Sequence, residues 1–584
     1  MRIAVIDREK CRRQKCGYIC QKMCPPQRMG EEVIMPLPDS EGAWPVISEP
    51  LCTGCGICPK KCPWGAIRIV NLPQELGTPI HQYGVNAFRV YGLPLPRKGA
   101  IVGLVGANGI GKTTALQILS GALAPNMGKL GEAATPAQLA AMFRGQELQN
   151  YFNQLKGIGV SHKPQDVSAL AKLDTTVAEF LARSGSDGVE QAAEDFELEP
   201  VLDRKLANLS GGELQRVAIA ATCLKAADLY CFDEPSSYLD IRQRLRTAKL
   251  LQKLTKNASV ALVEHDLAIL DYLSDFTVVF YGQRSVFGVA SGLKATRSGI
   301  NEYLQGYLRD ENVRFRPVEI KFEVRAPVEA KKRVAAFSYP ALKQRYRGFS
   351  LDAEPGSINE GEVIGILGPN AIGKSTFVRM LAGAERPKEG EIAMVRKISY
   401  KPQYIQSDFP GTVVELVSSM KDLDSTAFEQ LKADLEIGEL MEKEVGHLSG
   451  GELQRLAIVL CLARNADMYL LDEPSAFLDI EQRLRFATAL KRRMETSGAN
   501  AFVVDHDVVL IDIISHRLIV FDGQPSIKGV ASAPQSMRAG MNSFLKSLDV
   551  TLRRDPDTGR PRVNKADSVL DREQKEKGEY YYAG

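Results

Sequence analysis

Apolar residues in this chain gather into short runs that stop abruptly on glycine or on acidic residues. Gly99-Ala-Ile-Val-Gly-Leu-Val105 is a continuous apolar stretch, which predicts a buried strand. It leads into Gly106-Ala-Asn-Gly-Ile-Gly111-Lys112-Thr113, and from Thr114 onward Ala-Leu-Gln-Ile-Leu-Ser predicts a helix. Two more apolar strands end on Asp233 and Asp472. Ile3-Ala-Val-Ile6 and Ala66-Ile-Arg-Ile-Val70 are also strand-sized, and pairing them closes a small N-terminal domain. Between positions 135 and 156, Leu139, Met142 and Phe143 mark one amphipathic helix, Arg144-Gly145 breaks it, and Leu148, Tyr151, Phe152 and Leu155 mark a second. Many apolar runs, such as Leu518-Ile-Val-Phe521, are strand-sized. All fall far short of the roughly 18 to 20 residues that a membrane-spanning helix needs.

One series of motifs occurs twice. Leu209-Ser210-Gly211-Gly212-Glu213-Leu214-Gln215-Arg216 precedes an Asp233-Glu234 strand end, and Leu448-Ser449-Gly450-Gly451-Glu452-Leu453-Gln454-Arg455 precedes Asp472-Glu473. Serine and glutamate are 24 residues apart in both copies. Upstream stand two phosphate loops, Gly106 to Thr113 and Gly368-Pro-Asn-Ala-Ile-Gly373-Lys374-Ser375. In such loops successive backbone N–H groups and a helix N-terminus cradle phosphates, the lysine reaches the β and γ groups, and the hydroxyl of Thr113 or Ser375 coordinates magnesium. A lone match is sometimes a chance glycine-rich turn, but a duplicated ordered series is not.

Composition sharpens this picture at the N-terminus. The 584 residues suffice for several domains, and a net charge of +3 leaves any nucleic-acid contact to local patches. No secretory signal is visible at Met1 to Asp7, so a cytosolic setting is expected. Of eleven cysteines, eight lie between Cys11 and Cys62, while Cys223, Cys231 and Cys461 have apolar neighbours and read as core. Crowding of this kind in a cytosolic chain points to metal. Cys52-x2-Cys55-x2-Cys58-x3-Cys62-Pro63 is the bacterial ferredoxin run, and Cys11-x4-Cys16-x3-Cys20-x3-Cys24-Pro25 is a loosened variant. By the cross-over of the fourth cysteine, Cys52, Cys55, Cys58 and Cys24 would hold one [4Fe-4S] cluster and Cys11, Cys16, Cys20 and Cys62 the other. Zinc is the alternative occupant. With no flavin or nicotinamide motif nearby, a structural role is favoured over electron transfer. Lys10, Arg12, Arg13, Lys15, Lys22, Arg28, Lys60 and Lys61 make this region basic, which suits either a nucleic-acid partner or compensation of anionic clusters.

Phosphate loop, Ser-Gly-Gly signature, Asp-Glu strand and a later histidine, in that order and twice, resemble the nucleotide-binding cassette of the ABC ATPases. The resemblance implies tandem α/β P-loop ABC nucleotide-binding domains behind an N-terminal α+β ferredoxin-like iron–sulfur domain. It implies roles for Asn108, Gly109, Gly111, Lys112, Thr113 and Thr114, and for Asn370, Gly373, Lys374, Ser375 and Thr376, in binding ATP. Tyr83 and Phe88 stand where the family stacks adenine, ordinary packing being the other reading. Gln165 and Gln403 match the loop glutamine near metal and water, Asp233 and Asp472 the magnesium aspartates, Glu234 and Glu473 the water-polarising glutamates, and His265 and His506 the γ-phosphate sensor. Glu213 and Glu452 depart from the family's usual glutamine. Head-to-tail pairing then sets Ser449 and Gly451 against the first loop and Ser210 and Gly212 against the second.

Lys112 to Gln165 spans 53 residues and Lys374 to Gln403 only 29, so the first half carries an insertion near 135–156, read as a docking helix pair or as core. With the cysteine-rich start, this insertion, and the Leu-Asp-Ile-Arg/Glu-Gln-Arg-Leu-Arg stretches at Leu239 and Leu478, the whole chain resembles ABC subfamily E, the RNase L inhibitor type. That implies a cytoplasmic, monomeric ribosome-recycling ATPase that uses ATP, Mg²⁺ and two [4Fe-4S] clusters to split ribosomes. Its implied partners are the small subunit, its RNA and a release or rescue factor. A transporter ATPase subunit and an iron–sulfur redox or carrier protein are the alternatives. The expected division is 1–72 iron–sulfur domain, 73–296 first cassette, 297–333 hinge, 334–540 second cassette and 541–584 tail. Arg309 to Arg347 holds eleven Lys or Arg against five Asp or Glu, a basic hinge or a solvated linker. In the tail, the cluster from Arg553 to Arg562 suits a hinge or a phosphate grip.

Overall fold

A computed structural model describes residues 2–8, 10–38, 43–49, 51–71, 76–154, 157–185, 188–320, 322, 335–392, 397–403 and 408–581. Leu155, the junctions at 72–73 and 333–334, and Lys321, Arg325, Lys331, Lys332 and Arg333 of the basic stretch lie outside the described residues.

The duplicated motifs ride on duplicated sheets. In the first, Phe276–Gln283, Ile101–Val105, Ser259–Val263, Leu229–Asp233 and Val160–Lys163 lie side by side and parallel. In the second, Arg517–Gln524, Val363–Leu367, Asn500–Val504, Met468–Asp472 and Ile398–Lys401 repeat that order. At one edge Phe287–Ala290, or Lys528–Ala531, returns antiparallel and carries a small hairpin. Ile101–Val105 and Leu229–Asp233 are buried along their whole length, which explains their unbroken apolar sequence. Because the central strands run parallel, the phosphate loop, the Asp-Glu pair and the histidine of each half all emerge at the carboxyl ends of the strands.

The insertion folds as two helices, Pro136–Met142 and Glu147–Gln154. A Thr135/Gln138 capping box starts the first, satisfying end groups that would otherwise be orphaned. Leu139, Phe143, Leu148 and Phe152 bury themselves in the core of the first sheet, and the rings of Phe143 and Phe152 stack 5.6 Å apart. The inner face of the insertion is therefore core, and its outer face is exposed at Arg144, Gln146, Asn150 and Asn153.

A second core is shared by both halves: helices Leu267–Leu273 and Val508–Ile514 meet there, together with Leu552, Val563 and Tyr581 of the C-terminal segment. The tail arginines are spent on this joint. Arg560 and Arg562 hold Asp271 of the first half at 3.3 and 2.5 Å, and Arg554 holds Asp512 of the second at 2.9 Å. Helix Thr296–Gln305 packs on the first sheet, and its Arg297 reaches Asp555 of the tail at 3.0 Å.

At the N-terminus Arg2–Ile6 pairs antiparallel with Ile67–Asn71, as their apolar pattern predicts. Between these strands helices Ile19–Lys22 and Ile57–Lys61 carry Cys20 and Cys58, Cys24 caps helix Pro25–Arg28, and the small core includes all three cysteines beside Ala4, Ile34 and Ile47. Asn86 pins this domain to the first half, donating to Ala4 O at 2.9 Å and Ile47 O at 3.1 Å and accepting from Ile47 N at 2.8 Å. Glu49 and Arg89 add an ion pair.

Candidate functional site

A cleft of about 1690 Å³ runs between the halves and under the N-terminal domain. Asn108, Gly109, Gly111, Lys112, Thr113, Thr114, Gln165, Glu234 and His265 line it from one side, and Ser449 and Gly451 from the other. The loop helices Lys112–Leu119 and Lys374–Leu381 start on Gly111 and Gly373, at φ 97° and 101°, in the left-handed region that glycine tolerates. A side chain at Gly111 would also stand 2.9 Å from the Phe88 ring. Lys112 donates to Gly106 O and Ala107 O, both at 2.8 Å, and Lys374 donates to Gly368 O and Pro369 O at 2.8 and 2.6 Å. Burial brings both ammonium groups down to about 8.

The Asp-Glu pairs supply opposite electrostatics from adjacent positions. Both carboxylate oxygens of Asp233 and of Asp472 are buried without a hydrogen-bond partner among the described residues. Burial pushes Asp233 up to about 6 and raises Asp472 too. Orphaned carboxylates beside Thr113 and Ser375 form a donor set that a hard divalent cation satisfies. Burial also acts against ionisation of Glu234 and Glu473. It is outweighed by His265 and His506, whose Nε2 atoms stand 3.3 and 3.4 Å away, and by Lys112 and Lys374, so both carboxyls are held down at about 2. Gln165 and Gln403 donate to the same glutamates at 2.7 and 2.8 Å. Glu234 and Glu473 sit at φ 47° and 48°, a costly backbone for a non-glycine residue that the surroundings impose.

Closure across the halves is reciprocal. Asn108 N donates to Asp479 Oδ2 at 3.0 Å and Asn370 N to Asp240 Oδ2 at 2.9 Å. The Asn108 and Asn370 side chains reach the Phe477 and Tyr238 carbonyls, each at 3.4 Å, and Gly451 and Gly212 press against those same carbonyls. Each phosphate loop thus faces the other half's signature. Ser210 and Ser449 cap their helices, and Glu213 and Glu452 bond back to them in capping boxes, the reason glutamate serves at this place as well as glutamine.

Some site residues escaped the sequence reading. Asp240 and Asp479 repeat at the same offset from the Asp-Glu pairs, a signal that was available. Phe349 packs on Gly373 as Phe88 does on Gly111, with Tyr346 stacked on it 6.2 Å away. The two phenylalanines precede their loop glycines by 24 and 23 residues. Tyr83 is half-exposed, its hydroxyl 3.0 Å from Thr114 Oγ1. Arg284 crosses from the first half to Asp479 and Glu481, both at 3.3 Å, and to Glu436 at 3.6 Å. Only the mismatch of Gly-Gln-Arg-Ser285 against Gly-Gln-Pro-Ser526 hints at it.

In the N-terminal domain Cys11, Cys16, Cys20 and Cys62 line one cavity. Burial, then Cys16, Cys11 and Cys62, push Cys20 up to about 11; burial and then Cys52, with Cys20, Cys55 and Cys24, push Cys58 up to about 12. Among the described residues no three His, Cys, Asp or Glu side chains stand close enough to hold a single metal ion.

The ABC transporter family model matches residues 96–237 and 353–476. An ABC transporter ATP-binding protein of Methanocaldococcus jannaschii is 50% identical, covering 100% of this chain and 98% of its own length. Translation initiation factor RLI1 of Saccharomyces cerevisiae is 43% identical over 100% and 98%. Among solved structures, a ribosome-bound archaeal Pelota and ABCE1 assembly matches with TM-score 0.92 and 52% identity, covering 100% of this chain and 99% of the other. An RNase-L inhibitor matches with TM-score 0.82 and 52% identity over 87% and 100%. Twin cassettes closed head to tail behind a cysteine-rich domain, and identity along the whole length, make this chain a member of the ABC subfamily E, RNase L inhibitor family of ABC ATPases.

Proposed function

We propose that this ATPase separates ribosomal subunits after termination or rescue and then stays on the small subunit and its RNA. It acts as a cytoplasmic monomer, with a release or rescue factor meeting the N-terminal domain. The carrying observation is the reciprocal closure, in which each phosphate loop faces the other half's signature while the N-terminal domain roofs the same cleft. Among relatives, one solved assembly is described as ribosome-bound with Pelota, and another as an archaeal ribosome recycling factor with a ribosomal stalk protein.

In this reading the first site uses Asn108, Gly109, Gly111, Lys112, Thr113 and Thr114 against Ser449 and Gly451, and the second uses Asn370, Gly373, Lys374, Ser375 and Thr376 against Ser210 and Gly212. Phe88 and Tyr83 flank one base and Phe349 and Tyr346 the other. Thr113, Gln165 and Asp233, and Ser375, Gln403 and Asp472, hold magnesium, which when bound neutralises phosphate charge. Glu234 and Glu473 orient water for in-line attack, and His265 and His506 keep those carboxylates aimed. Nucleotide in both sites holds the halves together, and hydrolysis lets them part.

Two [4Fe-4S] clusters fit the thiols, Cys11, Cys16, Cys20 and Cys62 in one group and Cys24, Cys52, Cys55 and Cys58 in the other. Support comes from the cavity that the first group lines and from the mutual influence of the thiols, which follows the same grouping with Cys20 between them. A cluster also spreads its thiolates wider than a single zinc with bonds of about 2.3 Å. The deciding experiment is sedimentation with small ribosomal subunits in a non-hydrolysable ATP analogue, followed by subunit separation with ATP. Absence of analogue-dependent co-sedimentation would sink the proposal.

A further inference from the structure

Strands Val160–Lys163 and Ile398–Lys401 both end in a lysine that the catalytic scheme leaves unused. Lys163 is 0% exposed and Lys401 1%, and among the described residues neither reaches a carboxylate at ion-pair distance. Burying an ammonium group costs several kcal/mol unless its hydrogen bonds are met. An aliphatic side chain would serve packing at less cost at a position buried this deeply. The same expense in both halves therefore calls for a reason other than packing.

What the ammonium groups touch supplies it. Lys163 donates to the carbonyl oxygens of Asp233 at 2.8 Å and Glu234 at 3.4 Å; Lys401 donates to those of Asp472 at 2.8 Å and Glu473 at 3.3 Å. These peptides carry the metal carboxylate and the strained glutamate. Two residues on, Gln165 and Gln403 grip the glutamate side chains, so one strand end holds the Asp-Glu turn by backbone and side chain together. Gln215 and Gln454, on the signature helices, donate to Glu234 O and Glu473 O from the other side, each at 2.8 Å.

We propose that Lys163 and Lys401 are positioning residues that clamp the strained Asp-Glu turn to the glutamine-bearing strand, so that the glutamate carboxylate stays aimed at the attacking water. The clamp joins the strand before the loop glutamine, the turn and the signature helix into one rigid unit in each half. Its effect falls on turnover rather than on nucleotide affinity, because the ammonium faces peptide carbonyls and not phosphate.

The inference rests on Glu234 and Glu473 as water-polarising groups, and Glu234→Gln tests that reading separately. In full-length protein carrying Glu473→Gln, so that only the first site turns over, Lys163→Met should lower kcat roughly tenfold to hundredfold, the scale of loss from misplaced catalytic groups. Binding of a fluorescent ATP analogue should stay within about threefold and the melting temperature should fall by a few degrees at most, since Met removes a buried charge without leaving a void but leaves the Asp233 carbonyl short of a donor. Lys163→Gln, which keeps an N–H donor, should recover part of the rate, and Lys401→Met in a Glu234→Gln background should mirror the result. Parental kcat in both methionine variants overturns the proposal. So does a loss of rate matched by equal losses of analogue binding or of thermal stability.

Discussion

Two glutamates only one position from buried aspartates behave as opposites, because His265 or His506 and a phosphate-loop lysine surround the glutamate, while the aspartate oxygens accept no hydrogen bond among the described residues. With Glu234 and Glu473 held at about 2, both stay ionised throughout pH 5 to 8, so acidification in that window should not slow turnover by protonating them. Glu234→Gln and Glu473→Gln should each leave ATP binding in place and cut hydrolysis in their own site by roughly 10²-fold, read as phosphate release from single and double variants. Wild-type release from the double variant would refute the assignment. Arg284 gives the first site a cross-half contact that the second lacks, Pro525 standing in its place. Its guanidinium is a third exposed, so screening trims its contribution to about 1–2 kcal/mol. Arg284→Pro should therefore weaken nucleotide trapping in the first site roughly tenfold and leave the second unchanged, as measured by occlusion of labelled ATP in single-site variants.

The inserted helix pair has two faces with different duties. Phe152 is 1% exposed and stacks on Phe143 within the core of the first sheet, so Phe152→Ala should cost about 3–5 kcal/mol in chemical unfolding of that half. Removing the whole pair would uncover the same core, and loss of ribosome binding after deletion would not isolate a docking role. Substitutions confined to the outer face, Arg144→Glu with Asn150→Glu and Asn153→Glu, should leave unfolding and ATP hydrolysis unchanged while weakening analogue-dependent sedimentation with small subunits. Unweakened sedimentation would remove this face from the ribosomal contact.

The N-terminal domain is tied unequally to its neighbours. Asn86 bonds it to the first half from a buried position, whereas among the described residues its ion pairs to the second half run through Glu439, two-thirds exposed, with Arg68 at 2.5 Å and Lys10 at 3.5 Å. Surface pairs of that kind contribute about 0–1 kcal/mol and are screened by salt, so the second contact releases easily while the first holds. Anaerobically purified protein should carry about eight irons and absorb broadly near ~400 nm, on the cysteine spacing alone. Cys55→Ser should lower iron content and loosen that domain while leaving nucleotide binding by the cassettes intact. Zinc without iron in metal analysis would overturn the cluster assignment.

Much of this was legible in the linear pattern, because the chemistry demands local spacing. Phosphate loops, signatures and Asp-Glu ends are each built from contiguous residues, so their spacing is written in the sequence, and the pairing of Ile3–Ile6 with Ala66–Val70 follows from their strand-sized apolar runs. Other features depend on residues hundreds of positions apart and leave no local trace. The asymmetric reach of Arg284 to Asp479, the spending of tail arginines on Asp271 and Asp512, and the division of the insertion into core and outer faces arise only when the two halves close and bury charge against charge. The lysines of Val160–Lys163 and Ile398–Lys401 make the same point, since a lysine within a polar Lys-Pro-Gln stretch reads as solvent-facing until the fold places carbonyl oxygens over it and excludes water.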